Sequence, residues 1–167
     1  KASGNFTDAS IWEYKYDGTN WGAAPIAPTA ASNITIQTAD SVYMNADASI
    51  NSGKTLTVNG KINFNTKVLS GAGAFNLTSG ATVYTGNSNG LAGSLANTTV
   101  TRDAAANYVF NGSVAQTISS ASNSIPATIT GNLVIDNPAG VTLGANKTVN
   151  TPGTFTVKAN AVFYFGT

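Results

Sequence analysis

Apolar residues fall at every second position along most of the chain, in short runs separated by polar residues and glycine. The pairs that carry this pattern are Ile34 and Ile36, Val42 and Met44, Leu56 and Val58, Ile62 and Phe64, and Phe75 and Leu77. A period of two places those side chains on one face of a β-strand and the residues between them on the other. No stretch has a convincing 3.6-residue period, so the pattern predicts an all-β chain.

The stretch 33–66 returns later in the chain without a gap. At a constant offset of 99 residues (132 − 33) it matches 132–165, so that Asn33-Ile-Thr-Ile36 meets Asn132-Leu-Val-Ile135 and Phe64 meets Phe163. Strands inside the repeat recur at intervals of about 20 residues. This spacing predicts a parallel β-helix with about five coils in the offset. The prevalence of right-handed crossover connections indicates a right-handed helix.

A β-sandwich is the alternative fold. Asn59-Gly60, Asn89-Gly90 and Asn111-Gly112 are dipeptides typical of tight turns between antiparallel strands. A sandwich would use them as hairpin turns, whereas a β-helix would place them at coil corners.

The first 32 residues differ in composition from the rest. They concentrate aromatic residues, and Pro25 and Pro28 follow in an Ala-rich stretch that cannot lie inside a sheet. The open end of a solenoid needs a cap over its apolar cross-section. We therefore predict an aromatic cap and linker over 1–32 and β-helix coils over 33–167, with loop excursions around 102–131.

Composition and charge narrow the functional classes. The chain carries 8 basic and 7 acidic residues, for a net charge of +1. This is too weak a field to hold nucleic acid or an anionic membrane, and no apolar run approaches the length of a transmembrane helix. A cysteine-free chain rich in Thr, Asn and Gly predicts a secreted or cell-surface bacterial protein. Its start without Met and its stop within a strand suggest flanking domains of a larger chain.

The available side chains argue against catalysis by this chain. With no His and no Cys, the Ser-His-Asp and Cys-His arrangements and the usual transition-metal sites are excluded. A lyase or glycosidase site around Arg102 and Asp103 is the remaining catalytic option, but a glycosidase needs paired carboxylates. We interpret Arg102-Asp103 as a solvated loop pair. The chain is predicted not to be an enzyme, although it suits a module of a larger polysaccharide-degrading enzyme.

One segment offers a cation site. Asp17-Gly18-Thr19-Asn20 has oxygen ligands at alternate positions, so Asp17 and Asn20 are candidate calcium ligands. An ordinary Asp-Gly turn explains the same residues. No other cofactor is predicted.

Aromatic residues are the main binding candidates, because sugar rings stack on Trp and Tyr while amides and hydroxyls bond their hydroxyl groups. Strand parity turns Tyr43, Tyr84 and Tyr164 outward, the last because Phe163 and Phe165 should face inward. Trp12 and Trp21 fit either cap packing or sugar binding. Tyr14 and Tyr16 share the parity of Trp12, so if Trp12 packs inward they should follow it. The candidate carbohydrate-binding residues are Tyr43, Tyr84, Trp21, Trp12, Tyr164 and Arg102.

From about Ile34 to Val157 the chain resembles a known group of proteins, on the strength of motifs in its second half. Tyr108-Val-Phe-Asn-Gly-Ser-Val-Ala-Gln-Thr117, Ile125-Pro-Ala-Thr128 and Gly131-Asn-Leu-Val-Ile-Asp-Asn-Pro-Ala-Gly-Val-Thr-Leu143 look like repeat units of large secreted, adhesin-like surface proteins of Bacteroidetes, often exported by type IX secretion. The resemblance implies an adhesin stalk or a companion of polysaccharide-degrading enzymes. In architecture the chain is also similar to β-helical xylan-binding carbohydrate-binding modules.

Three functions follow in order. The first is non-catalytic binding of a plant cell-wall polysaccharide such as xylan, and the second is a structural stalk repeat of a cell-surface adhesin. The third is ice binding, suggested by the Thr-x-Thr triplets that begin at Thr55, Thr99, Thr128 and Thr154. Thr also favours outward strand positions without any such role.

Overall fold

The protein is a parallel β-solenoid of about six turns, seen in a computed structural model that describes residues 3–15 and 17–166 except for the side chain of Thr98. In chain order the strands are β1 (Gly4–Asn5), β2 (Glu13–Lys15), β3 (Trp21–Ala23), β4 (Ile34–Ile36), β5 (Ser41–Tyr43), β6 (Ala48–Ser49), β7 (Thr55–Val58), β8 (Lys61–Asn63), β9 (Leu69–Leu77), β10 (Thr82–Thr85), β11 (Leu95–Arg102), β12 (Asn107–Phe110), β13 (Gln116–Ile118), β14 (Thr128–Ile129), β15 (Leu133–Ile135), β16 (Val141–Leu143), β17 (Thr148–Val149), β18 (Phe155–Val157) and β19 (Phe163–Phe165). A 3-10 turn (Ala9–Ile11) and the helix α1 (Gly90–Ser94) are short, so the all-β prediction is confirmed.

The strands stack in parallel sheets that run along the solenoid axis. The longest is a seven-stranded sheet in the order β1-β5-β8-β10-β12-β15-β18. A five-stranded sheet, β11-β9-β7-β4 with β6 attached to β9, forms a second side, and a three-stranded sheet, β13-β16-β19, forms another side of the later coils. Among the described strands only the pair β2–β3 is antiparallel. The predicted β-helix is therefore confirmed and the β-sandwich is not.

Inward side chains stack on one another from coil to coil. In the seven-stranded sheet the column runs through Val42, Ile62, Val83, Tyr108 and Leu133, all of them buried. The apolar member of each alternating run lies in the interior, as the period of two requires. The core is thus a continuous apolar column parallel to the axis.

The corners between strands bring backbones of successive coils into contact. A Cβ on Gly60 would lie 2.0 Å from the carbonyl oxygen of Gln37, and one on Gly131 would lie 2.0 Å from that of Ala106. Only glycine fits such an approach. The Asn59-Gly60 dipeptide therefore serves a coil corner rather than a hairpin.

The 99-residue repeat does not contain a whole number of coils. Ile34 lies in the five-stranded sheet, but its sequence counterpart Leu133 lies in the seven-stranded sheet, four rungs beyond Val42. The offset is therefore four turns plus one side of the solenoid. The prediction of about five coils was wrong, because coil length changes along the chain. Sequence similarity between two stretches does not show how many corners lie between them.

The amino-terminal segment joins the solenoid and then leaves it. β1 pairs with β5, and Phe6, Ile11 and Trp12 are buried in the common core. The hairpin β2–β3 follows, with Tyr14 43% exposed. The expectation that Tyr14 would follow Trp12 inward was wrong, because the strand parity ends where the chain departs from the coil. Tyr16 lies outside the described residues.

The last rung differs from the interior rungs. Phe155 and Val157 continue the columns of Leu133 and Ile135, and Phe165 continues that of Leu143. Phe155, Val157 and Phe165 are nevertheless exposed, Phe165 by 80%. Parity sets their direction, but no further rung of the described chain covers them.

Regular strands occupy about a third of 102–131. β12, β13 and β14 lie in this range and pair with the following coil. The longest irregular segment there runs over 119–127, between β13 and β14.

Candidate functional site

Two tyrosines share one outward column of the seven-stranded sheet. Tyr43 of β5 pairs with Asn63 of β8, which pairs with Tyr84 of β10. Neighbouring strands are about 4.8 Å apart, so the two tyrosine positions are separated by about 9.6 Å along the axis. Tyr43 is 45% exposed and Tyr84 is half-buried.

An open depression of about 230 Å³ lies between these rings. We call it the tyrosine groove; it is lined by Ser41, Val42, Tyr43, Lys61, Asn63, Tyr84 and Asn111. The buried side chains of Val42, Ile62 and Val83 hold the three central strands against the core, which turns the intervening positions outward. The groove therefore sits on a rigid part of the scaffold.

The polar groups of the groove are two amides, the hydroxyl groups of Ser41 and the two tyrosines, and one ammonium group. The Oδ1 of Asn63 accepts a hydrogen bond from the backbone N–H of Asn65 at 2.8 Å, which orients its amide. The Oδ1 of Asn111 is buried and has no hydrogen-bond partner among the described residues. Lys61 is the one charged side chain among the lining residues. Such a surface can bond neutral hydroxyl groups and offers no acid or base pair for catalysis.

The other predicted aromatic residues lie elsewhere. Trp12 is buried, and its Nε1 donates to the carbonyl of Phe6 at 3.0 Å. Trp21 is 57% exposed on the hairpin, with the Nζ of Lys15 5.1 Å from its ring centroid. Tyr164 is exposed, as predicted, but belongs to the three-stranded sheet and lies against Gly140. The structure brings together Tyr43 and Tyr84 and separates them from these residues.

Arg102 is not the solvated loop residue that the sequence suggested. It ends β11 at an inward position, in the column of Ile36, Val58 and Leu77. Its side chain is half-buried, and its Nε is buried without a hydrogen-bond partner among the described residues. Asp103 is exposed and its Oδ1 accepts from the backbone N–H of Ala105 at 2.8 Å. The interpretation as a loop pair was wrong for Arg102, because the strand extends one residue further than the polarity predicted.

The surroundings of Arg102 are unfavourable to its charge. Burial lowers the pKa of Arg102, and burial also lowers the pKa of Lys147, with the Arg102 charge adding to the effect. Burial raises the pKa of Tyr108 above its usual range, and the Arg102 charge opposes that rise. The hydroxyl of Tyr108 donates to the carbonyl of Asp103 at 2.6 Å. This cluster lies at the edge of the five-stranded sheet and not in the tyrosine groove.

Asp17 and Asn20 form a closed turn. One carboxylate oxygen of Asp17 accepts from the backbone N–H groups of Thr19 and Asn20, at 2.8 and 2.6 Å. The other accepts from the side-chain amide of Asn20 at 2.6 Å. The hydrogen bonds from Asn20 and Thr19 lower the pKa of Asp17. Nowhere in the described ranges do three or more His, Cys, Asp or Glu residues come together as a metal site.

The Thr-x-Thr triplets do not align into one array. Thr55 and Thr99 share a column of the five-stranded sheet, but Ala74 stands between them. Thr156 belongs to the seven-stranded sheet instead. The regular threonine face that ice binding requires is not formed by these triplets.

Four polar groove residues escaped the sequence analysis as site candidates: Ser41, Lys61, Asn63 and Asn111. Asn111 was taken as part of an Asn-Gly turn. Parity could have placed Lys61 beside the outward Asn63, but the inter-coil register that unites these residues is not visible locally. In the part of the chain that is described, no helix is both long and apolar enough to span a bilayer.

Comparisons with known proteins add no family assignment. No family model, no curated protein and no solved structure matches this chain.

Proposed function

We propose that this protein is a non-catalytic polysaccharide-binding module of a secreted or cell-surface bacterial protein. The observation that supports it most is that Tyr43 and Tyr84 lie two strands apart in one outward column and line the same open, amide-containing groove. Tyrosine rings stack on the apolar faces of sugars, while amides and hydroxyls bond sugar hydroxyl groups. A β-glycan of the plant cell wall, such as xylan or a glucan, is the proposed ligand.

The test is affinity gel electrophoresis of the protein through soluble xylan, glucomannan, mixed-linkage glucan and a cellulose derivative. Wild-type protein should be retarded by at least one of them. Tyr43→Ala and Tyr84→Ala should each lose this retardation with an unchanged melting temperature, because neither outward ring supports the core.

Tyr164→Ala is the matched control, since it removes an exposed tyrosine from a different sheet. It should migrate like the wild type. Retardation that persists in both groove variants would remove Tyr43 and Tyr84 from the site. A parallel run with a chelator tests calcium, because loss of retardation would point to Asp17 and Asn20.

A structural stalk is the second candidate, and one observation favours it. The last rung exposes Phe155, Val157 and Phe165 at core positions, so a further coil or domain would bury apolar surface there. A protein that no glycan retards would be better described as such a stalk.

A further inference from the structure

We infer that the tyrosine groove is built for an extended, β-1,4-linked glycan lying parallel to the solenoid axis, with alternate sugars stacked on Tyr43 and Tyr84. This inference rests on the proposed function and names the backbone class and the minimum length of its ligand. It is derived from the coil register, the limits of the groove and the chemistry of its lining residues.

The strand register fixes the spacing of the two tyrosine positions along the axis. Tyr43, Asn63 and Tyr84 are direct partners on three neighbouring strands, so two inter-strand steps separate the backbones that carry the tyrosine rings. At about 4.8 Å a step, the distance along the axis is about 9.6 Å. A bound polymer must therefore present equivalent sugar faces at this interval.

An extended β-1,4-linked glycan meets this requirement. Its equatorial linkages advance each sugar by close to one inter-strand step, and successive sugars are turned over, so the first and third present the same face in the same sense. The first and third sugars would then stack on the two tyrosines, and the middle sugar would lie over Asn63. A curved β-1,3-glucan or a helical α-1,4-glucan does not repeat its faces along a straight line.

The groove also has defined ends. The partner of Tyr43 on β1 is Asn5, and the partner of Tyr84 on β12 is Val109, which is buried. The column therefore has two aromatic platforms within its described length. Asn111, which directly follows β12, also lines the groove.

Calorimetric titration with oligosaccharides of graded length tests the inference. β-1,4-linked glucose, mannose and xylose oligomers of two to five units are compared with β-1,3- and α-1,4-linked glucose oligomers. Affinity should rise by about tenfold between the disaccharide and the trisaccharide of a β-1,4 series, because only the trisaccharide reaches both rings. The β-1,3 and α-1,4 series should show no such step.

Three variants isolate the spacing. Tyr43→Ala and Tyr84→Ala should each bind the trisaccharide no better than the disaccharide. The double variant Asn63→Tyr with Tyr84→Ala keeps two outward tyrosines but brings them one step apart. It should also lose the rise in affinity from disaccharide to trisaccharide. A near-ultraviolet circular dichroism spectrum and the melting temperature verify its fold.

The outcomes separate the two levels of argument. Three results would each overturn this inference and leave polysaccharide binding intact. They are retention of polymers with no rise in affinity from disaccharide to trisaccharide, equal binding of the β-1,3 series, and a wild-type rise in affinity in the double variant. Failure of every polymer to retard the protein would overturn both.

Discussion

The two copies of the sequence repeat, 33–66 and 132–165, have the same local contacts and different surroundings. In each copy an Asn Oδ1 accepts the backbone N–H of the Thr that begins the next coil, Asn33 from Thr55 and Asn132 from Thr154, both at 3.1 Å. Yet the strands of the first copy lie in the five- and seven-stranded sheets, whereas those of the second lie in the seven- and three-stranded sheets and in a two-stranded sheet formed by β14 and β17. Similar sequence thus reproduces the coil geometry without reproducing the face.

Burial separates the copies more sharply than geometry does. Leu56 is fully buried, but its counterpart Phe155 is 43% exposed. Tyr43 borders the tyrosine groove, but its counterpart Thr142 lies on the three-stranded sheet, where no pair of tyrosines two strands apart is formed by the described residues. A repeat unit therefore acquires its role from the coils above and below it.

The largest contrast is expected between two phenylalanines in equivalent positions. Phe64 is fully buried, with Phe75 at a centroid distance of 5.9 Å, whereas Phe163 is only half-buried in the last rung. Phe64→Ala should lower the free energy of unfolding by about 3–5 kcal/mol. Phe163→Ala should cost less than half as much, as measured by urea unfolding. Equal losses would show that the last rung is as well packed as the interior.

Removing the charge of Arg102 should change the free energy of unfolding by a smaller amount and in the opposite direction, towards greater stability. Arg102 interrupts an inward column that begins in the first copy with Ile36, and its Nε is buried without a described partner. Arg102→Met keeps the volume and removes the unpaired donor, so it should raise the free energy of unfolding by about 1–3 kcal/mol. Arg102→Lys retains a charge and should give no gain. Destabilisation by Met would mean that the guanidinium has a stabilising partner.

Alkaline pH should weaken the coil between the two copies through Tyr108. Burial raises the pKa of the folded Tyr108 side chain, so the unfolded chain loses this proton first. The associated stability is fully present below about pH 10 and is lost as pH rises, with a slope of up to about 1.4 kcal/mol per pH unit.

Tyr108→Phe isolates this contribution. It should flatten the alkaline slope while costing about 1 kcal/mol at neutral pH, because the hydrogen bond to the Asp103 carbonyl is lost. Unfolding curves from pH 8 to 11.5 provide the measurement. An unchanged slope in the variant would assign the alkaline loss to other groups.

The smallest contrast concerns the two equivalent asparagines. Asn33 accepts one hydrogen bond with its side chain, whereas Asn132 also accepts from the Thr154 hydroxyl at 2.7 Å and donates to the Oδ1 of Asn107 at 2.8 Å. Asn132→Ala should therefore lower the free energy of unfolding by about 1 kcal/mol more than Asn33→Ala does. If the two variants lose the same amount, the additional bonds contribute nothing net.

The sequence was sufficient to predict the class of fold and the direction of many side chains. Period-two alternation and the self-similar stretch predicted a parallel β-helix, and parity turned Tyr43 and Tyr164 outward and Val42 and Phe64 inward. These features are local, because each follows from the pleat of a single strand. Parity failed where it was carried across the end of a strand, as it was for Tyr14.

Only the tertiary structure decided which residues became neighbours. The intervals along the inward column from Val42 to Ile62, Val83, Tyr108 and Leu133 are unequal, since the corners between strands vary in length. Corner length sets the register between coils, and local periodicity does not encode it. For this reason the sequence could mark Tyr43 and Tyr84 as outward, but only the folded chain placed them two strands apart over one groove and turned Arg102 toward the core.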